Sequence, residues 1–206
     1  METIPPLAAL AALISAMAHA GMALFTKRAE DTLTFRGVSM VFSALWLSPV
    51  LFLFPLPGWE VWRFLLMGAG LIWAFNMLMI SAFRRGSMNL VYPVMRGAAP
   101  AIAGLFAFVF LGEPLSPLAI IGLSVASAAI IAFAWPERGG APKAAALGFA
   151  LSAAVMTASY TVNDASGVRA AGSALIYAAW FFVLSAITLV GTAWIRRGDQ
   201  LIRVAR

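Results

Sequence analysis

The sequence of 206 residues contains no cysteine, a single histidine and only eight acidic residues. Without cysteine, neither a disulfide framework nor a thiolate metal site can form. The few His, Asp and Glu residues leave too little for a metal cluster, so the sequence predicts no metal and no cofactor. They are also too scattered for the acid, base and nucleophile of an active site, so we predict that the protein is not an enzyme. A membrane-embedded enzyme acting on lipid phosphates is the weakest alternative.

Charge is scarce as well, because charged residues make up 11% of the chain and hydrophobic residues 63%. Soluble domains are about 25% charged and roughly 45–50% apolar. The mean hydropathy of +0.93 agrees with this difference. The net charge of +6 does not indicate nucleic acid, because the basic residues lie mostly between apolar runs. The composition predicts an all-α polytopic membrane helix bundle whose surroundings are the lipid bilayer, with no nucleic-acid partner.

Seven apolar runs are each about as long as a bilayer core requires. They cover residues 5–26, 33–55, 61–83, 90–111, 116–136, 143–163 and 171–195. The first run is not a cleavable signal, because it lacks a basic start and its apolar part is too long. The connections are too short to hold a soluble domain. The small residues Ala144, Gly148 and Ser152 recur at a spacing of four, which predicts a close helix-packing face.

The stretch LGEPLSPL predicts how the fourth run ends and the fifth begins. Gly112 suits a left-handed helix end, and Pro114 blocks continuation of the helix. Ser116 suits an N-cap and Pro117 the first helical position. Glu113 is expected in a solvated turn between them.

Lys and Arg residues predict the orientation in the membrane, because with seven spans nearly all of them fall on one side. Only Arg63 and Arg169 fall clearly on the other side. The positive-inside rule then predicts a multi-pass protein of the cell inner (plasma) membrane with its N-terminus outside and its C-terminal tail in the cytoplasm. The residues on the basic side are Lys27, Arg28, Arg36, Arg84, Arg85, Arg138, Lys143, Arg196, Arg197, Arg203 and Arg206.

The stretch AFRRGSMNLVYPVMRGAAP places a charged residue, Arg96, inside the fourth apolar run. Tyr92 lies one turn away on the same helical face, and Pro93 and Pro100 are expected to break the helix. A backbone carbonyl freed by proline is tolerated in lipid only beside protein or a water-filled cavity. We therefore predict a hydrated cavity in which Arg96 binds a carboxylate or a phosphate. The alternative is that Arg96 extends to the membrane boundary near Arg85.

Other polar residues within the apolar runs are candidate substrate-binding groups, each with a structural alternative. His19 either carries a proton or binds substrate, or it is a neutral hydrogen-bonding group between helices. Asn76 is either a specificity group or an interhelical hydrogen bond. Tyr160 and Asp164 lie one turn apart on one face, although Asp164 with Gly167 also suits a helix end at the water boundary.

The order of these features resembles the EamA-type permeases of the drug/metabolite transporter superfamily. The matching stretches are HAGMALFTK, AFRRGSMNLVYPVMRGAAP, FLGEPLSPLAIIGLSVASAAIIA and SYTVNDASGVRAAGSALIYAAW. The resemblance implies ten helices in two five-helix repeats of inverted topology around a central cavity. It implies secondary transport of small metabolites, usually export, by alternating access. It also implies that Tyr92, Arg96 and Pro100 face the cavity, with His19 as a neighbour.

On this resemblance, residues 1–140 form the first repeat and residues 141–206 begin the second, with two helices and a cytoplasmic tail. Because seven spans fall short of ten, we expect a chain truncated after the seventh helix or completed by a partner in a homo- or hetero-oligomer. The alternative function is a non-transporting fragment or subunit. Relatives that export lipophilic cations carry a glutamate early in the first helix, whereas residues 5–26 contain no carboxylate. The expected substrate is a small, acidic metabolite.

Overall fold

The computed structural model describes residues 6–112, 114–133 and 144–198, and these residues form seven helices and no strand. The predicted repeat boundary near residue 140 and the tail beyond residue 198 lie outside them. Five helices, including α4 together with a π-helical turn that extends it, are long and apolar enough to cross a membrane. The helices are α1 (Pro6–Arg28), α2 (Thr32–Leu53), α3 (Trp59–Arg85), α4 (Met88–Phe106) with its π-helical turn (Ala107–Leu111), α5 (Pro117–Phe133), α6 (Ala144–Ala171) and α7 (Ala174–Arg197).

The turn between α4 and α5 has the chemistry that the sequence predicts. Gly112 ends the π-helical turn with φ of 66°, in the left-handed region. The hydroxyl of Ser116 accepts a hydrogen bond from the backbone N–H of Ala119 at 3.1 Å, and Pro117 is the first residue of α5. These predictions are confirmed, whereas Glu113 lies outside the described residues.

The central helix of the bundle is α3, which packs against α6 and α7 and touches α2 and α4. Its main seam is with α6, which also packs against α4. The α6 side of this packing is built from alanines, and the predicted face of Ala144, Gly148 and Ser152 is exposed instead. The small-residue prediction therefore chose the wrong face. The alanines of α6 with no exposed surface are Ala146, Ala150, Ala153, Ala154 and Ala158.

Several helices meet at one end of the bundle, where their terminal residues bind one another. The Lys27 ammonium, at the end of α1, donates to the carbonyl oxygens of Phe83 and Gly86, at the end of α3. Arg197, at the end of α7, forms a two-pronged ion pair with Asp31, which precedes α2; the N···O distances are 2.9 and 3.0 Å. We call this the basic end, after Lys27, Arg28, Arg84, Arg85, Arg196 and Arg197. Its placement in the cytoplasm stays a prediction.

The surroundings of Asp31 decide its charge. Burial alone would raise the pKa of this carboxyl, but hydrogen bonds from Arg197 and Thr34, the Arg197 charge and the backbone N–H of Leu33 together hold its pKa below the ordinary value. Asp31 is therefore ionised at neutral pH and available for the ion pair.

Two expectations about helix ends need correction. The sixth helix does not end near Asp164 and Gly167 but continues to Ala171, so Asp164 lies within it. The expected breaks at Pro93 and Pro100 are absent, because α4 runs through both prolines. Each proline removes one backbone donor, but the flanking turns keep the helix continuous.

Candidate functional site

A cavity of about 210 Å³ lies in the interior of the bundle between α1, α2, α3, α4, α6 and α7. Methionine and aromatic side chains form much of its wall. Polar side chains reach it from every contributing helix except α3 and α7, whose lining residues are apolar. The polar lining residues are His19, Thr26, Arg36, Tyr92, Arg96, Thr157, Tyr160 and Asp164.

Arg96 enters the cavity from α4. It lies eight residues after the first residue of α4, about 12 Å along the axis at 1.5 Å per residue. Its guanidinium carbon is 5.6 Å from the ring centroid of Tyr92, within cation–π range. The N–H groups of Arg96 donate no hydrogen bond of normal geometry to any described residue. Arg96 thus lies on the cavity, and its donors are unused within the described part of the chain. Its role in binding stays a prediction.

A second guanidinium, Arg36, reaches the same cavity from α2. Its Nε donates to the side-chain oxygen of Asn76 at 2.8 Å, and the Asn76 amide donates to the carbonyl of Ile72 at 2.7 Å. Asn76 is fully buried and is not among the lining residues, so it orients Arg36 from behind. Sequence reasoning placed Arg36 at the membrane boundary, although its fifth position in an apolar helix was the available signal.

The other predicted groups occupy different places. Tyr160 lines the cavity and packs edge-on against Phe75, with ring centroids 5.8 Å apart. His19 lines it from α1 and is otherwise exposed. Arg36 and Arg96 both act electrostatically on His19 and on Tyr160, so the two guanidiniums share one region of the cavity. Pro93 and Pro100 are not lining residues, and Pro100 is exposed.

Asp164 reaches the cavity from α6 and is held by a cluster of hydrogen bonds. The Tyr177 hydroxyl donates to its Oδ1 at 2.8 Å, and the Asn163 amide donates to the same oxygen at 3.1 Å. The same amide also donates to the carbonyl of Phe64 at 2.9 Å. Gly68 makes room for the cluster, because a Cβ there would lie 2.9 Å from Asp164 Oδ1.

The cavity lining carries more positive than negative charge. Arg36 and Arg96 are always protonated, whereas Asp164 is the sole carboxylate among the described lining residues. No group of three metal ligands occurs within residues 6–112, 114–133 and 144–198. A concave site with this surplus attracts small anions.

The comparisons with known proteins point to one family. The model of the EamA-like transporter family matches residues 6–135, which span α1 to α5. Neither a curated protein nor a solved structure matches the chain. The lining residues from α6 and α7 lie beyond the matched segment.

Proposed function

The chain belongs to the EamA-like transporter family and is therefore a membrane transporter of the drug/metabolite type, and we propose that it carries small anionic metabolites by alternating access. The observation that carries this proposal is the pair of guanidiniums, Arg36 and Arg96, on one interior cavity. Export from the cell is the direction that the family resemblance favours. The positive-inside rule predicts separately that the basic end faces the cytoplasm.

The size of the cavity favours a small substrate. Pockets for drug-sized ligands measure about 300–1,000 Å³, whereas this cavity measures about 210 Å³. A guanidinium binds carboxylates and phosphates through two parallel hydrogen bonds. Toward the described residues, Arg96 leaves its N–H groups available, and Arg36 uses only its Nε, for Asn76. A compact carboxylate, phosphate or sulfonate therefore suits the site.

The repeat organisation is part of the same proposal. Residues 1–140 would form one five-helix repeat and residues 141–206 the beginning of the second. The family model matches residues 6–135, within the first repeat. Tyr160 and Asp164 would then bring groups of the second repeat to a cavity that Tyr92 and Arg96 line from the first.

Binding by the purified full chain tests the proposal. The probes are inorganic phosphate, succinate and isethionate, with glucose as a neutral comparison and putrescine as a cationic one. We expect the anions to raise the thermal unfolding temperature, because a ligand that binds only the folded state stabilises it. Counterflow of radiolabelled isethionate in reconstituted vesicles then measures transport. Equal stabilisation by glucose or putrescine would contradict the choice of substrate class.

Variants assign the binding to the guanidiniums. Arg96→Ala removes a charge-assisted pair worth about 1.5–3 kcal/mol, so anion affinity should fall by roughly 10- to 150-fold. Arg96→Lys should restore part of it, because an ammonium keeps the charge but loses the planar fork. Asn76→Leu should weaken binding by less, because it only frees Arg36. Arg84→Ala, an exposed residue of the basic end, is the matched control. Unchanged affinity in Arg96→Ala would remove Arg96 from the site.

A further inference from the structure

Asp164 is the one acidic group on the cavity lining of the described residues, and binding of an anion gives it no role. Both of its donors, Tyr177 and Asn163, bind the same oxygen, Oδ1. Within the described part of the chain, Oδ2 accepts no hydrogen bond, and no Lys or Arg nitrogen lies within 4.0 Å of this carboxylate. One oxygen is thus held in place, while the other is left for a ligand that enters the cavity.

Each helix packed around Asp164 presents a different group. Cationic and titratable side chains lie across the cavity from Asp164. Among the described residues, none of them forms an ion pair with the Asp164 carboxylate at 4.0 Å or less. The helix α3 offers a backbone carbonyl and a glycine rather than a counter-charge. The groups are Tyr177 from α7, Tyr160 and Asn163 from α6, Phe64 O and Gly68 from α3, Arg96 and Tyr92 from α4, Arg36 from α2 and His19 from α1.

An ionised carboxylate without a paired cation is costly inside a membrane bundle. Uptake of a proton removes this cost, and the free Oδ2 is the atom that can receive it. Acidic side chains that line an intramembrane cavity form proton relays in pumps and transporters. We propose that Asp164 is the proton-binding site of this transporter. On the basis of the proposed anion transport, the proton crosses together with the anion held by Arg36 and Arg96.

The chemistry of the step is a reversible protonation. An O–H bond forms between Oδ2 and a proton delivered by hydronium, which leaves water, and the same bond breaks when the cavity opens to the other side. Nothing is oxidised or reduced. An anion in the cavity repels the ionised carboxylate and so favours its protonation, and by linkage the proton favours anion binding. A monovalent anion and its proton then move in the same direction with no net charge.

Infrared spectroscopy of the reconstituted full chain tests proton binding without a substrate. We expect the wild type to show one pH-dependent protonated-carboxyl band that is absent from Asp164→Asn. Glu60→Gln, a change at an exposed carboxylate, should keep the band. Isethionate should extend the band to higher pH. Survival of every wild-type carboxyl band in Asp164→Asn would overturn the proposal.

Tyr177→Phe gives a second measurement if Asp164→Asn does not fold. It removes one donor from the ionised carboxylate, so the band should persist to higher pH than in the wild type. A purely structural effect of the hydroxyl would leave the pH dependence of the band unchanged, and that result would count against Asp164.

Vesicles with a trapped pH-sensitive dye test the coupling. Isethionate is the probe because its sulfonate stays ionised near neutral pH and carries no proton itself. An isethionate gradient should move protons in the same direction in the wild type. Asp164→Asn should still exchange labelled isethionate but move no protons. Proton movement that persists in Asp164→Asn overturns the proposal. Putrescine binding that is present in the wild type and lost in Asp164→Asn also overturns it, because Asp164 would then bind a cationic ligand. If isethionate does not bind the wild type, only the anion proposal is refuted, because the infrared band still decides the role of Asp164.

Discussion

Replacement of Asp31 would remove two stabilising interactions at the basic end together. Its carboxylate caps α2 by accepting the Leu33 N–H at 3.2 Å and the Thr34 hydroxyl at 2.6 Å. It also ties the end of α7 to the start of α2 through Arg197. The Asp31 side chain is 11% exposed and that of Arg197 is 34% exposed, so the pair is only partly screened by solvent.

The two interactions can be separated by the choice of substituent. Asparagine caps a helix about as well as aspartate does, so Asp31→Asn removes mainly the charge. Exposed ion pairs contribute about 0.2–1 kcal/mol and hydrogen bonds to charged groups about 1.5–3 kcal/mol. For this partly exposed pair we expect Asp31→Asn to lower the free energy of unfolding by about 1 kcal/mol. Asp31→Ala also loses the cap, worth about 1 kcal/mol, so it should cost about 2 kcal/mol.

The pH dependence has a definite sign. The pKa of Asp31 lies below the ordinary 3.8, so the folded protein binds fewer protons at this group than the unfolded protein does. Stability from the ion pair is therefore fully present above about pH 4 and decreases as the pH falls through the folded-state pKa. The stability difference between wild type and Asp31→Asn should shrink in that acidic range.

Unfolding of the detergent-solubilised chain by titrated denaturant measures these free energies. A double-mutant cycle with Arg197→Gln isolates the pair, and Arg196→Gln, at an exposed neighbour, is the control. The reasoning is refuted if Asp31→Ala is no worse than Asp31→Asn, or if the wild-type advantage over Asp31→Asn grows as the pH falls below 4.

Two further predictions concern other contacts. Gly167→Ala would place a Cβ 2.6 Å from Tyr177 Cζ, so it should cost about 1–3 kcal/mol of unfolding free energy, whereas Gly148→Ala has open space and should not destabilise α6. A stable Gly167→Ala protein would contradict this packing. Lys27→Met removes the bonds to the terminal carbonyls of α3, so amide hydrogen exchange in the last turns of α1 should accelerate about tenfold, unlike in Arg28→Met. Equal exchange rates in both variants would show that Lys27 does not hold α1.

Most of the architecture followed from apolar runs and turn residues. The seven predicted runs correspond to α1–α7, because lipid solvation dictates run length and each break carries turn chemistry. The packing face of α6 was missed because alanines occur on more than one of its faces. The end of α6 was missed because polar residues such as Asp164 suit a water boundary as well as an interior cavity. Only the contacts with α3 and α7 distinguish these two settings.

The candidate site was predictable where a charge stood alone in a long apolar run, as Arg96 does. Arg36 was missed because a basic residue near the start of a helix usually marks the membrane boundary. Tyr177 was missed because an aromatic residue near a helix start suits the membrane interface. Its role depends on the approach of α7 to Asp164, which no local pattern encodes. Asn76 carried an ambiguous signal, and its contact with Arg36 makes it a supporting residue of the site.

The alanine seam of α6 has a mechanical consequence. A methyl side chain has no rotamers, so Ala150, Ala154 and their neighbours cannot adapt to a shifted partner by turning a side chain. Backbones joined in this way either keep their register or separate altogether. We therefore expect α3 and α6 to move as one rigid unit during the transport cycle. The hinge displacements would then fall to helices outside this seam, α1 and α5, which share few contacts with α3 and α6.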